Sequence, residues 1–418
     1  MRAGQHRWKD DNSPLQLQRS AALLVEAEAL IPGLTQSLMK RPAAFAPGAF
    51  PGYLKTGEGP LVQDVDGTWY IDYICGLGAN SLGHRHPQVL SAIEETLGVG
   101  LLHSLPTALE VGVTRSLVEM IPGAEQARLF KTGADATSAA VRLARHLTGR
   151  DHIVTVGYNG FHDHFMFDTP GVPAGVARYT TRMPLFAPAD EPALLQAVSQ
   201  RASELAAVVL SLPYNRVLTA DYLRQLGATC RQHGVLLVLD EVVTGFRLAR
   251  GGAQEFYGIQ ADLVCLSKGL AAGMPLSAIV GPARHLAAMA ELQVSTTFGG
   301  ECLSLAVCAA ALRIYRETDA IAQAAQLGRR LREGVNLVAE RCGAELRVVG
   351  YDAIPMFRFA SDPLPPTPPQ IMPRFTAEMA KRGVLLRRDA NFISLVHRSE
   401  HIDYTIKAAG EALVAMTG

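Results

Sequence analysis

The chain has 418 residues, 48% hydrophobic and 19% charged, enough apolar material for more than one core and too much for wholesale disorder. Thirty-nine Lys and Arg offset thirty-nine Asp and Glu, which leaves none of the basic excess that grips nucleic acid. No apolar run reaches the roughly 18 residues of a membrane span, and six scattered Cys without a CxxC pair offer neither a disulfide framework nor a zinc ribbon. The polar, acid-bearing N-terminal stretch lacks the apolar core of a signal peptide, so the expectation is a soluble cytoplasmic protein that acts on small molecules.

In chain order, LVQDVDGTWYIDY (61–73) reads as a hairpin around Asp66-Gly67. LFKTGADATSAAVRLAR (129–145) reads as strand, Thr-Gly turn and Ala-rich helix. IVTV (153–156), AAVVLSL (206–212), VLLVL (235–239), LVCLS (263–267) and AIVG (278–281) are continuously apolar, as strands of a sheet covered on both faces are. Helical patterns at Asp135–Thr148 and Ala220–His233 alternate with them, and this rhythm predicts an α/β fold with a large parallel or mixed sheet. From Ser304 to about Cys342 the pattern turns helical. ELRVVG, IPMFRF and ISLV then read as strands of a smaller α+β domain. Asp362 to Pro373 holds six of the 24 prolines and predicts an exposed loop. Three regions follow: residues 1–72, a segment packing with the small domain; 73–315, a large domain; and 316–418, a C-terminal α+β domain.

The chemistry gathers around VLLVLDEVVTGFR (235–247) and the SKG that begins at Ser267. A parallel strand that ends in Asp240 presents a carboxylate at the sheet edge where α/β proteins bind ligands. A second strand end presents the amine of Lys268 to the same crevice. Thr132 and Gly133 precede a helix, and a helix N-terminus with a hydroxyl and a glycine is a ready phosphate site. Amine, carboxylate and phosphate cradle are the three handles that pyridoxal 5'-phosphate requires.

The sequence resembles the class III (subgroup II) pyridoxal-phosphate-dependent aminotransferases of fold type I, the group that includes glutamate-1-semialdehyde aminomutase. DEVVTGFR resembles the family's DEVxTGFR, and SKG its lysine segment. GYNGFHDHF (157–165) resembles its YHGxxD segment, STTFGGECLSLA (295–306) its TxxGNPLA segment, and DVDGTWYIDYICGLGANSLGHRHPQV its N-terminal DxDGxxYID…LGHxHP signature. The resemblance implies a large, mostly parallel seven-stranded sheet domain with a smaller α+β domain. It also implies a homodimer with shared active sites. Lys268 would be the Schiff-base lysine and Asp240 the partner of the pyridine nitrogen. Tyr158 would stack over the ring, with Asn159 beside it and Val242 beneath. Thr132, Gly133 and Ala134 would hold the phosphate, with Thr297 arriving from the neighbouring subunit. No metal is implied.

Five residues depart from the family pattern. Ala134 stands where SGTEA has a hydroxyl, Asn159 where His follows the stacking Tyr, Ser211 where a glutamate is expected, and Glu301-Cys302 where Asn-Pro is usual. The stretch from Gly383 to Ser394 also lacks the glutamate of the semialdehyde aminomutases. These departures favour an aminotransferase acting on an amine or carbonyl substrate. The altered phosphate loop and the missing glutamate look similar to aminotransferases of aminoglycoside pathways, a resemblance that implies an oxidised amino sugar as substrate. They predict that glutamate-1-semialdehyde is not isomerised. Asp389 and Glu301 are expected as anionic substrate contacts and Arg387-Arg388 as a solvated pair. The alternatives are an isomerase on the same scaffold, either an epimerase at an amine-bearing carbon or an aminomutase, and a cofactor-bound regulatory protein without turnover. Gly76 to Gly83 only mimics a dinucleotide fingerprint, because its third glycine is two residues late. His84, His86, His162 and His164 are read as packing or loop histidines.

Overall fold

The computed structural model describes residues 7–363 and 370–417. They form two compact units: one runs from Pro87 to Ile321, and the other draws on both ends of the chain, up to His86 and again from Ala322.

The central unit is built on a seven-stranded sheet, as expected of fold type I. Its order is Gln126–Phe130, Ser277–Gly281, Leu263–Leu266, Leu236–Glu241, Leu205–Ser211, His152–Val156 and Thr180–Met183. Only Ser277–Gly281 runs antiparallel to its neighbours; the remaining pairs are parallel. All five apolar runs read from the sequence are strands, and Leu205–Ser211 is buried at every position, which is why it shows no polar alternation. The edge strand Thr180–Met183 (TTRM) has a mixed burial pattern and carries no apolar run that would reveal it.

The helix Gly133–Thr148 opens on a capping box, in which the Thr132 side chain accepts the Asp135 N–H and Asp135 accepts the Thr132 N–H. It ends on left-handed Gly149 (φ 65°). Ala136, Ala139, Ala140 and Ala144 are buried along one face, so small side chains let the helix lie close over the sheet. Ala220–Gln232 is capped in turn by the Thr219 side chain, which accepts the Tyr222 N–H. Helix Cys302–Glu317 packs on Pro87–Leu97 and Ala108–Met120, which keeps it with the central unit.

The second unit holds a four-stranded sheet, Leu54–Glu58, Leu61–Asp64, Trp69–Asp72 and Val384–Leu385, and a separate antiparallel pair, Leu346–Tyr351 with Ile354–Phe359. The hairpin forms where the sequence placed it. Asp64 accepts the N–H groups of Asp66 and Thr68, and Gly67 takes the left-handed φ of 101° that the turn needs. Residues 73–86 side with this unit, because Tyr73 O and Ser81 O accept the N–H groups of Phe392 and Leu395, each at 2.8 Å.

Two readings are corrected here. ISLV (393–396) is not a strand: its backbone donors go to different partners, Ile393 to Ala353 O and Leu395 to Ser81 O, while Ser394 N–H reaches His397 Nδ1. No single ladder can form. Arg387 is not solvated; it is buried and pairs with Asp389 at 2.7 Å. That pairing also occupies the carboxylate expected to contact substrate. Of the proline-rich stretch, residues 364–369 lie outside the described residues. Beside them, buried Asp362 accepts the N–H groups of Gln370, Ile371 and Met372 at the start of helix Met372–Lys381. Among the described residues, no helix is long and apolar enough to cross a membrane.

Candidate active site

Parallel strands end at Val156, Ser211, Glu241 and Leu266, and the residues that follow converge on one edge of the central sheet. The antiparallel strand begins at Ser277 opposite Phe130, which brings Lys131, Thr132 and Gly133 to the same edge. The strand register sets Ser211 beside Asp240 and Asp240 beside Cys265. Seven residues singled out from the sequence gather here: Thr132, Gly133, Ala134, Asn159, Asp240, Val242 and Lys268.

Asp240 is the electrostatic centre. It is 5% exposed, and its carboxylate accepts three hydrogen bonds. Val242 N–H reaches Oδ1 at 3.1 Å, while Asn159 Nδ2 and Ser211 Oγ each reach Oδ2 at 2.9 Å. Burial pushes its carboxyl above the usual range; the Asn159, Val242 and Ser211 donors and the Lys268 charge pull against that. Asn159 is itself buried and also donates to Ser211 Oγ at 3.0 Å, and its carbonyl accepts Thr137 Oγ1 at 2.6 Å. Two of the departures, Asn159 and Ser211, therefore meet on one carboxylate oxygen. A neutral amide and hydroxyl hold the acid that the sequence showed only as altered surroundings.

Lys268 follows Leu263–Leu266 and opens the short turn Lys268–Ala271 with φ 46°. A left-handed non-glycine residue costs of order 1–3 kcal/mol and persists where its surroundings over-determine it. Here Ser267 Oγ donates to Leu276 O at 2.8 Å and Tyr315 Oη donates to Gly269 O at 2.6 Å, which pins both sides of the lysine.

The amides of Gly133 and Ala134 lie in the first helical turn, where no intrahelical acceptor exists. A Cβ on Gly133 would fall 2.8 and 2.9 Å from the two methyls of Val242, so only glycine lets the cradle approach that side chain. A Cβ on Gly160 (φ 124°) would likewise fall 2.8 Å from the Ala134 Cβ, so a side chain at 160 would meet Ala134. Tyr158 is 69% exposed and its carbonyl accepts Ser211 Oγ at 3.1 Å. Thr297 is exposed in the turn before helix Cys302–Glu317. Glu301 is no free anionic contact: its carboxylate takes Lys131 Nζ at 2.7 Å and the Leu303 and Ser304 N–H groups. Burial pushes that carboxyl up, but Lys131 and Ser304 outweigh it and hold it below the usual carboxylate range.

The set fits pyridoxal phosphate on three independent counts: an amine on a strained turn, a buried carboxylate held by the neutral donors of Asn159, Ser211 and Val242, and open amides beside a glycine that cannot carry a side chain. Sequence reasoning missed Glu241, which is fully buried, accepts the Ala253 N–H at 2.6 Å, and is raised by burial to about 7. It also missed Lys131, whose only signal is its place before the Thr-Gly turn.

A model of the family Aminotransferase class-III matches residues 45–212 and 214–407. Glutamate-1-semialdehyde 2,1-aminomutase of Syntrophobacter fumaroxidans is 33% identical over 430 residues, covering 95% of this chain and 97% of that protein. The structure of the FumI protein of Sphingopyxis sp. MTA144, in a PLP form, superposes with a TM-score of 0.88 at 28% identity over 96% of each chain. A transaminase with PLP bound superposes with a TM-score of 0.86 at 25% identity, covering 96% of this chain and 98% of that one. With a sheet edge assembled for this chemistry and likeness along almost its whole length, the chain belongs to the class-III aminotransferase family.

Proposed function

We propose that this chain is a pyridoxal 5'-phosphate-dependent isomerase of the 2,1-aminomutase type, which moves an amino group between neighbouring carbons of one small substrate. The observation that carries this reading is the full-length likeness, at 33% identity, to a relative named glutamate-1-semialdehyde 2,1-aminomutase. It favours the isomerase alternative over the aminotransferase first drawn from the sequence, and it weighs against the expectation that glutamate-1-semialdehyde is not a substrate.

Pyridoxal phosphate is the cofactor; when bound, it withdraws electrons from the amine-bearing carbon of the substrate. In this reading Lys268 holds the cofactor and, once released, carries the proton between carbons. Asp240 would hold the pyridine nitrogen in its protonated form, with Asn159 and Ser211 fixing the carboxylate and supporting its charge. Val242 and Tyr158 would hold the ring between them. Thr132, Gly133 and Ala134 take the phosphate, and Thr297 of a second copy completes the cradle. The homodimer is supported by an apolar surface that includes Leu97, Val99, Leu102, Leu105 and Phe298, all exposed in one chain. Leu101 O accepts the Cys302 N–H at 2.7 Å, which ties this surface to the start of the helix that follows the Thr297 turn.

The test is turnover of glutamate-1-semialdehyde with no added amino donor or acceptor. Formation of 5-aminolevulinate supports the aminomutase reading. A strict need for an added donor would replace it with the second reading, a transaminase, which the likeness to a PLP-bound transaminase supports. Solvent-deuterium uptake at the amine-bearing carbon, without group migration, would instead indicate an epimerase.

A further inference from the structure

We propose that the Lys131–Glu301 ion pair is a positioning device for the cofactor phosphate, joining the residue that opens the cradle to the turn that carries Thr297. The inference rests on the cofactor reading above and adds to it Lys131, which lies outside the family motifs, and Glu301, which departs from one of them. Lys131 is the peptide neighbour of Thr132, whose carbonyl is held by Ser277 Oγ at 2.6 Å. Its ammonium crosses 170 residues of sequence to reach Glu301 Oε1 at 2.7 Å. Both side chains are only 15% exposed, which sets the pair apart from the solvent-screened surface pairs that contribute little.

Glu301 is anchored at its other end. Its carboxylate accepts the N–H groups of Leu303 at 2.8 Å and Ser304 at 3.0 Å, capping helix Cys302–Glu317. The turn before it is closed by Gly299 N–H to Thr296 O and Glu301 N–H to Phe298 O, each at 3.2 Å. A carboxylate held by a helix end and a closed turn cannot drift toward Lys131, so the lysine is what the pair positions. The backbone that Lys131 shares with Thr132 is drawn into one place relative to Thr297. In the proposed homodimer this links the phosphate cradle of one site to the turn that serves the other. The Nζ charge is spent on Glu301, leaving phosphate binding to the backbone amides.

The experiment compares full-length wild type, Lys131→Met, Glu301→Gln and the double variant by equilibrium dialysis of the holoenzyme. Gln at 301 keeps one acceptor oxygen for either the Leu303 or the Ser304 N–H, which bond different oxygens of Glu301, so part of the cap is kept. Each single variant should raise the dissociation constant for pyridoxal phosphate about tenfold, the size of one charge-assisted hydrogen bond. The double variant should be no weaker than the weaker single. Pyridoxal, which has no phosphate, should change less than twofold; equal weakening of both compounds would mean general loosening and overturn the proposal. Unchanged phosphate affinity would also overturn it. So would tighter binding in Glu301→Gln, which would make Lys131 a phosphate ligand. Thr132→Ala strikes the cradle without touching the pair. If it too leaves affinity unchanged, the cofactor placement has failed; if it weakens binding and the pair variants do not, only the pair's role has.

Discussion

Replacing Asp240 by Asn removes a charge and keeps the side chain's shape, exchanging one oxygen for NH2, which separates the residue's chemical part from its structural one. The carboxylate has one immovable donor, the Val242 N–H on Oδ1, and two movable ones on Oδ2, from Asn159 and Ser211. An Asn at this position turns its oxygen to Val242 and its NH2 to the other side. Asn159 can then turn its amide over and Ser211 can reverse its hydroxyl, since both side chains can accept as well as donate. The fold should survive. Burial raises the Asp240 carboxyl in the folded protein, so its contribution to stability is fully present below its ordinary value of 3.8 and is lost as pH rises through the folded value. As pH rises, the cofactor-free wild type therefore loses a contribution that the variant, which does not titrate at this position, keeps. The cofactor-free variant should melt no lower than wild type at pH 8, and any advantage should shrink as pH falls. Activity should move the other way. Preorganised electrostatic groups contribute about 3–4 kcal/mol to a transition state, which predicts a loss of about 10²–10³-fold in kcat at 1.36 kcal/mol per tenfold. The assay is single-turnover absorbance of the cofactor, with occupancy confirmed in the same spectrum. A cofactor-loaded variant within tenfold of wild type would refute the role given to Asp240.

Three further outcomes are expected. Gly133→Ala should lose about 1–3 kcal/mol by overpacking, because its Cβ falls 2.8 Å from Val242; Val242→Ala in the same chain should recover most of it by chemical denaturation, and no recovery would remove that contact as the cause. Glu241 is raised to about 7, so its stabilising contribution is full near pH 4 and is lost as pH rises through 7; Glu241→Gln should flatten the melting temperature between pH 6 and 8, and an unchanged slope would assign the dependence elsewhere. Mixing Lys268→Ala chains with Thr297→Ala chains should regenerate some activity if sites are shared between copies, whereas a fully active monomer by sedimentation would contradict the shared site.

Asp240 and Lys268 were legible in the sequence because each directly follows a run of buried residues. Uninterrupted apolar strands of a parallel sheet deliver whatever comes next to one edge. The Thr-Gly turn before an Ala-rich helix was legible for a similarly local reason, since caps and helix faces are set within four residues of chain. ISLV misled because its composition suits a strand while its hydrogen bonds are scattered among separate partners, and TTRM was passed over because an edge strand need not be apolar. Asn159 and Ser211 were visible singly as departures, 81 and 29 residues from Asp240. Nothing along the chain says that both turn toward the same oxygen; that follows from the register that sets Ser211 beside Asp240 and from Thr137 holding the Asn159 carbonyl. Lys131 and Glu301 stood further apart still. Composition and local periodicity determine which segments become strands, helices and turns. Which polar side chains share a buried partner is decided only when the sheet order brings distant strand ends together.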